Sequence, residues 1–184
     1  EAGIIAIRLA DGDELVGVQL TDGDADLLIV SARGQAARFA EDKVRATGRG
    51  TQGVRAMNLD GEDRVLAIGV ADDEHDLLVV TGNGYGKRTP VGEYRVQGRG
   101  GKGIISVKTT ERNGLAVGFL QVRDSDEIML MAAQGKVLRC KVGDLREIGR
   151  NTQGVRILDL EGEEDRVVAV ARLAEPAPED ASEA

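Results

Sequence analysis

Three apolar runs recur along the chain at nearly constant spacing: Asp26-Leu27-Leu28-Ile29-Val30-Ser31, Asp76-Leu77-Leu78-Val79-Val80-Thr81 and Glu127-Ile128-Met129-Leu130-Met131-Ala132. Runs this short, continuous and rich in branched residues predict strands buried on both faces. Each is followed by a turn, Ala32-Arg33-Gly34, Gly82-Asn83-Gly84 or Ala133-Gln134-Gly135, and the Asn-Gly pair is a strong hairpin signal. A second strand follows with a cation at one register, Arg38, Arg88 or Arg139. Beyond a long loop a third strand alternates, placing Met57 and Leu59, Ile105 and Val107, or Leu158 and Leu160 on one face. An acidic turn then leads to a fourth strand at Val65-Leu66-Ala67-Ile68, Leu115-Ala116-Val117 or Val167-Val168-Ala169-Val170. Helical periodicity is sustained nowhere.

The pattern predicts an all-β array of four-stranded, blade-like repeats of about 50 residues. The expected boundaries are a trailing half-blade at 1–22, blades at 23–72, 73–123 and 124–172, and a tail at 173–184. Gly3 aligns with Gly53, Gly103 and Gly154, so residues 1–22 are expected to supply a third and fourth strand. Three and a half blades would leave an arc, and with no initiator methionine the chain reads as a fragment. The tail, acidic and interrupted by Pro176 and Pro178, is expected to be disordered; it either keeps the chain soluble or competes with a polyanion for the basic surface.

Composition narrows the chemistry. With 184 residues, 41% apolar and 30% charged, the chain can bury a core, and no run approaches the roughly 18 apolar residues of a membrane span. One cysteine, Cys140, allows no internal disulfide and fits a reducing compartment. His75, the lone histidine, cannot build a histidine metal site and is expected to be exposed in its acidic connector. The acidic clusters lack the spacing of a calcium loop. No nucleophile–base pair or phosphate-binding P-loop appears, so no catalytic residue is assigned.

A formal net charge of −8 and only 2% aromatic residues argue at first against nucleic acid, but the charges segregate. Gly84–Lys102 holds five cations against Glu93, and Val44–Arg55 holds Arg45, Arg49 and Arg55 with no acid. Lys136, Arg139, Lys141, Arg146, Arg150 and Arg156 face Asp144 and Glu147. The acids collect between units and in the turns before the fourth strands. Stacked repeats would carry the cations on one rim, and local charge governs phosphate binding. The plainer reading, that these cations only solvate strand edges, does not explain why they keep their register.

Within the basic stretches lie three glycine-rich loops: Gly48-Arg49-Gly50-Thr51-Gln52-Gly53, Gln97-Gly98-Arg99-Gly100-Gly101-Lys102-Gly103 and Gly149-Arg150-Asn151-Thr152-Gln153-Gly154. Glycine lets backbone amides approach a phosphate, with Arg and Lys adding charge. The second loop resembles the gyrase A box, Q-R-R-G-G-K-G, of the DNA gyrase A C-terminal domain. Asn83–Thr89, Thr110–Leu115, Gly149–Val155 and Asp11–Val18 are also similar to that domain, and the resemblance runs from Gly3 to about Pro176. It departs at Gly98, where the signature has arginine; this looks like a second, altered box rather than the principal one.

The resemblance implies a β-pinwheel, a propeller-like disc whose blades exchange a strand. It also implies duplex DNA wrapped on a basic rim, so that the ATP-dependent type II topoisomerase introduces negative supercoils. The candidate DNA-binding residues are Arg38, Arg45, Arg49, Lys87, Arg88, Arg95, Gln97, Arg99, Gly100, Gly101, Lys102, Arg139, Lys141, Arg146 and Arg150. By the same resemblance the partners are double-stranded DNA and, in an A2B2 assembly, the remainder of gyrase A together with gyrase B. ATP and Mg would be used elsewhere in the enzyme, and this chain itself needs no cofactor. The expected setting is the cytoplasm, on the bacterial chromosome. Tyr85 and Tyr94 lack the context of a strand-cleaving tyrosine and are expected to pack or to border the DNA path. The alternatives are the equivalent domain of topoisomerase IV, where boxes are more eroded, and a propeller used as a protein-interaction scaffold.

Overall fold

The computed structural model describes residues 3–162 and 164–173, and the acidic tail lies outside the described residues. Eleven strands run β1 (Asp26–Ser31), β2 (Gln35–Ala40), β3 (Val65–Val70), β4 (Asp76–Thr81), β5 (Tyr85–Pro90), β6 (Ile104–Ile105), β7 (Ala116–Val122), β8 (Glu127–Ala132), β9 (Val137–Lys141), β10 (Val155–Arg156) and β11 (Val167–Arg172). Every strand pairing is antiparallel. The three hairpins β1–β2, β4–β5 and β8–β9 turn on Gly34, Gly84 and Gly135, all at positive φ, a conformation open to glycine at no steric cost. Each second strand ends in a single 3-10 turn, at Glu41–Lys43, Val91–Glu93 or Val142–Asp144, that leads into the glycine loop.

The sheets do not follow chain order. The first is β3-β1-β2-β6 and the second is β10-β5-β4-β7. The short third strand of each unit therefore leaves its own sheet and edges the preceding one: Ile104 and Ile105 pair with Ala36 and Gln35, and Val155 and Arg156 pair with Gly86 and Tyr85. This is the strand exchange of a β-pinwheel. It is pinned identically in both places, because Ser106 and Val107 donate to the Gly34 carbonyl as Ile157 and Leu158 donate to that of Gly84. A Cβ on Gly34 or Gly84 would overlap the carbonyl of Val107 or Leu158, so these glycines serve a close approach as well as a turn.

The core lies between blades. Leu28, Val30 and Ala36 pack with Leu77, Val79, Val91, Tyr94 and Val107, while Leu78, Val80 and Val122 pack with Ile128, Leu130, Val142 and Leu158. Leu27, Ile29, Ala37, Phe39 and Met57 cover the other face of blade one. Strands β1 and β4 are thus buried on both faces, as their continuous apolar runs predict. Strand β8 departs from that expectation: Ile128, Leu130 and Ala132 are buried but Met131 is exposed, because no further described blade stacks on it.

Two third-strand expectations need correction. Residues 53–60 form no strand, and neither do residues 3–22. A third strand here needs the second strand of the preceding unit, and the described residues contain none for either segment. Residues 3–22 keep one contact of the repeat: Arg8 donates to the Thr51 carbonyl at 2.9 Å. Ile4, Ile5, Val18 and Leu20 are left exposed.

Candidate nucleic-acid interface

The glycine loops lie side by side, and backbone hydrogen bonds of one type join each to the preceding unit. Arg8 donates to Thr51, Asn58 to Gly101 and Lys108 to Thr152, at 2.9, 2.8 and 2.8 Å. The donors are equivalent positions of successive third-strand segments, and the acceptors are equivalent positions of successive loops. Side chains repeat the linkage. Arg99 Nη1 donates to the Arg55 carbonyl at 2.6 Å, and Arg150 Nη1 donates to that of Ile105 at 3.2 Å. Arg99 Nε also reaches the Lys43 carbonyl. Each loop thus rides on the third-strand segment of the preceding unit, so the linkage repeats from one loop to the next as a ridge.

Along this ridge the expected site residues separate into two groups. Arg45, Arg49, Arg95, Arg99, Lys102, Lys141 and Arg146 are exposed, with Gly101 among them, and Arg150, Gly100 and Gln97 are half-buried. Lys102 pairs with Asp60 at 2.9 Å, both side chains about two-thirds exposed; so open a pair is weak and readily exchanged for a phosphate. Gln97 is tied by its backbone amide to the Arg38 carbonyl.

In the second group Arg38, Lys87 and Arg88 turn inward, onto acids or backbone carbonyls, whereas Arg139 meets its acid at the surface. The Arg38 guanidinium is nearly buried, lies 2.9 Å from Asp26 and 2.5 Å from Asp73, and is held above its usual pKa chiefly by the hydrogen bond to Asp73. Arg88 repeats the arrangement one unit on, pairing with Asp76 at 2.7 Å and with Asp124, and donating to the Leu145 carbonyl. Arg139 pairs with Glu127 but stays exposed. The shared register of Arg38 and Arg88 thus serves a bridge from the second strand to the first strand and to the acidic connector behind it. Lys87 is wholly buried, and desolvation lowers its pKa to about 8.

That burial has a pH signature. The unfolded chain binds the Lys87 proton more tightly than the folded one, so the penalty is complete below pH 8 and is relieved as pH rises. Stability should therefore climb between pH 8 and 9, and Lys87→Met should flatten that climb. Tyr94 and Cys140, both pushed up by burial, oppose it only above their ordinary values. Denaturant titrations of both chains across this window provide the check; parallel curves would mean that Lys87 is not buried as an ammonium.

Three further placements differ from expectation. His75 is not exposed: its side chain is 12% accessible, with Nδ1 2.8 Å from Asp72 Oδ2. The acids before the fourth strands do more than solvate a turn, since Asp63 Oδ1 accepts the amides of Arg33 and Arg64 and Asp165 Oδ1 those of Gln134 and Arg166. Tyr94 packs in the core with its hydroxyl on Ser106, whereas Tyr85 lies between two guanidiniums, Arg112 and Arg156, 5.1 and 5.0 Å from its ring centre. Both donate to its hydroxyl, which holds its pKa below the usual range. Arg112 stands where units one and three carry Glu62 and Glu163; that reversal of sign was the available signal for a cation absent from the expected site.

No group of three or more His, Cys, Asp or Glu residues that could hold a metal occurs among the described residues. No helix among them is long and apolar enough to cross a membrane.

The pinwheel topology and glycine ridge agree with the comparisons to known proteins. Residues 1–22, 25–72, 75–123 and 126–174 match the family described as DNA gyrase C-terminal domain, beta-propeller. The chain is 48% identical over 179 residues to the DNA gyrase A protein of Escherichia coli (strain K12), covering 97% of this chain and 20% of that protein. It thus spans about a fifth of the length of the curated relatives it matches. Among solved structures it superposes on a DNA gyrase A C-terminal domain with a TM-score of 0.84 at 32% identity, covering 94% of this chain and 58% of the other. The C-terminal domain of a DNA topoisomerase IV gives the same score at 30% identity, covering 91% and 52%. On its sequence, its exchanged strands and its repeated glycine loops, the chain belongs to the DNA gyrase A C-terminal domain family.

Proposed function

We propose that this chain is a DNA-wrapping module of gyrase, which binds duplex DNA along the ridge of glycine loops and bends it around the rim. The observation that carries this reading is the repeated linkage of loop to preceding unit, which sets the equivalent cations Arg49, Arg99 and Arg150 in file along one edge. Wrapping without sequence preference needs backbone contacts rather than base readout, so a rim of guanidiniums, ammoniums and glycine amides suffices without aromatic platforms. Bending a short duplex through tens of degrees costs about 1–6 kcal/mol on elastic estimates, which several phosphate contacts offset. Within the whole enzyme the wrapped segment would be presented for strand passage, so that ATP hydrolysis by other parts of an A2B2 assembly, with Mg, drives negative supercoiling on the chromosome in the cytoplasm. The nearly complete box at 97–103 favours gyrase over topoisomerase IV.

Nicked circular DNA ligated in the presence of the chain should show a change in linking number, and Gly98→Arg should enlarge it. Nothing lies within 4 Å of a Cβ placed on Gly98 and its φ is not positive, so the arginine of the full signature fits without strain. Salt-insensitive binding with no linking change in either protein would instead favour the scaffold reading.

A further inference from the structure

Lys87 Nζ donates to the carbonyls of Gly149 and Arg150, each 2.7 Å away, and to Thr89 Oγ1 at 3.3 Å. Thr89, two residues along β5, sends its hydroxyl to the Ile148 carbonyl at 2.6 Å. Three consecutive carbonyls, of Ile148 and of the first two residues of the third glycine loop, are thus drawn inward onto the neighbouring unit. The equivalent pairs are Ala37 and Phe39 in unit one and Leu138 and Cys140 in unit three, neither of which can do this. A buried ammonium is costly unless its protons are satisfied, and the loop carbonyls supply two of the three acceptors.

A trans peptide is planar, with its N–H opposed to its C=O. Inward carbonyls at Ile148, Gly149 and Arg150 therefore turn the amides of Gly149, Arg150 and Asn151 outward. None of these three amides donates a hydrogen bond within the described residues. The second loop is built differently: the Gly100 amide, equivalent to that of Asn151, is taken by the Ala56 carbonyl at 2.7 Å. Successive outward amides form a concavity that binds anions. The third loop also has Gln153 where the second has Lys102, so it offers amides where its neighbour offers an ammonium. Glu93 lies 3.8 Å from Arg150 Nε, on the side chain rather than on the amide row.

We propose that Lys87 is a positioning residue that shapes Gly149–Asn151 into a nest for a non-bridging oxygen of one phosphodiester of the wrapped duplex. This rests on the rim being the DNA path, so the test separates the two ideas. In an NMR titration of the unmodified chain with a short blunt duplex, the amide resonances of Gly149, Arg150 and Asn151 should shift together, along with those of 98–102. Lys87→Met should abolish the shifts at 149–151 and weaken duplex binding about three- to tenfold, the range for removing one hydrogen bond of ordinary net strength. Thr89→Val, which frees only the Ile148 carbonyl, should give a smaller effect in the same direction. If the resonances at 98–102 move while those at 149–151 stay, the nest is overturned and the DNA path stands. If neither set moves and the duplex does not bind, both fall. The titration of the unmodified chain decides even where Lys87→Met fails to fold.

Discussion

Replacing Arg45, Arg49, Arg95 and Lys102 together with glutamine will weaken duplex binding on the order of 100-fold at low salt and flatten its salt dependence by roughly 3–4 in logarithmic slope, at about 0.9 for each phosphate no longer neutralised. The four residues are exposed, and the one ion pair they make among the described residues, Lys102 with Asp60, is itself open to solvent. Surface replacements of this kind usually change stability by no more than about 0.5 kcal/mol each, so the melting temperature should stay nearly constant. Fluorescence anisotropy across a salt series, with calorimetry on the same samples, measures both quantities. An unchanged slope would remove this rim from the DNA path.

The opposite dissociation of effects is expected for Arg88→Met. Arg88 lies on a second strand at a register that suits a phosphate contact equally well, yet it joins Asp76 on β4, Asp124 in the connector and the Leu145 carbonyl. Removing one partner of a buried pair costs about 3–5 kcal/mol because the other charge is stranded. Asp76 is largely covered but Asp124 is mostly exposed, so about 2–4 kcal/mol is the discounted figure. In a chain of this length that lowers the melting temperature by roughly 5–15 °C. Below the melting transition, DNA affinity should change little. A variant with full stability and weakened binding would return Arg88 to the interface. Arg38, bonded to Asp26 and Asp73, should behave in the same way.

The two substitutions together show what an arginine's place in a repeat does and does not reveal. A cation retained at one register through three units is compatible with a ligand and with a bridge inside every blade. The deciding partner is an acid about a dozen residues earlier plus an acid beyond the next loop, and only the fold brings those two together. Asp26 and Asp76, each twelve residues before its arginine, are visible as strand starts; nothing along the chain marks Asp73 or Asp124 as reaching the same side chain.

By itself, the sequence determined the period, the all-β class, the three apolar strands and their hairpins, and the glycine loops with their segregated charge. Those features are local: a strand shows in consecutive apolar residues, a hairpin in a glycine at the turn, and a repeat in its own recurrence. Tertiary structure alone decided which strand edges which sheet, since Ile104 could as well have paired within its own unit as with Ala36. It also decided that residues 3–22 and 53–60 form no strands, because a strand needs a partner edge and alternation does not provide one. The division of cations between ridge and interior belongs here too. Lys87 and Lys102 are equally charged on paper; one is buried beneath backbone carbonyls of another unit, the other stands in solvent beside Asp60, and only the packing of blade on blade sets them apart.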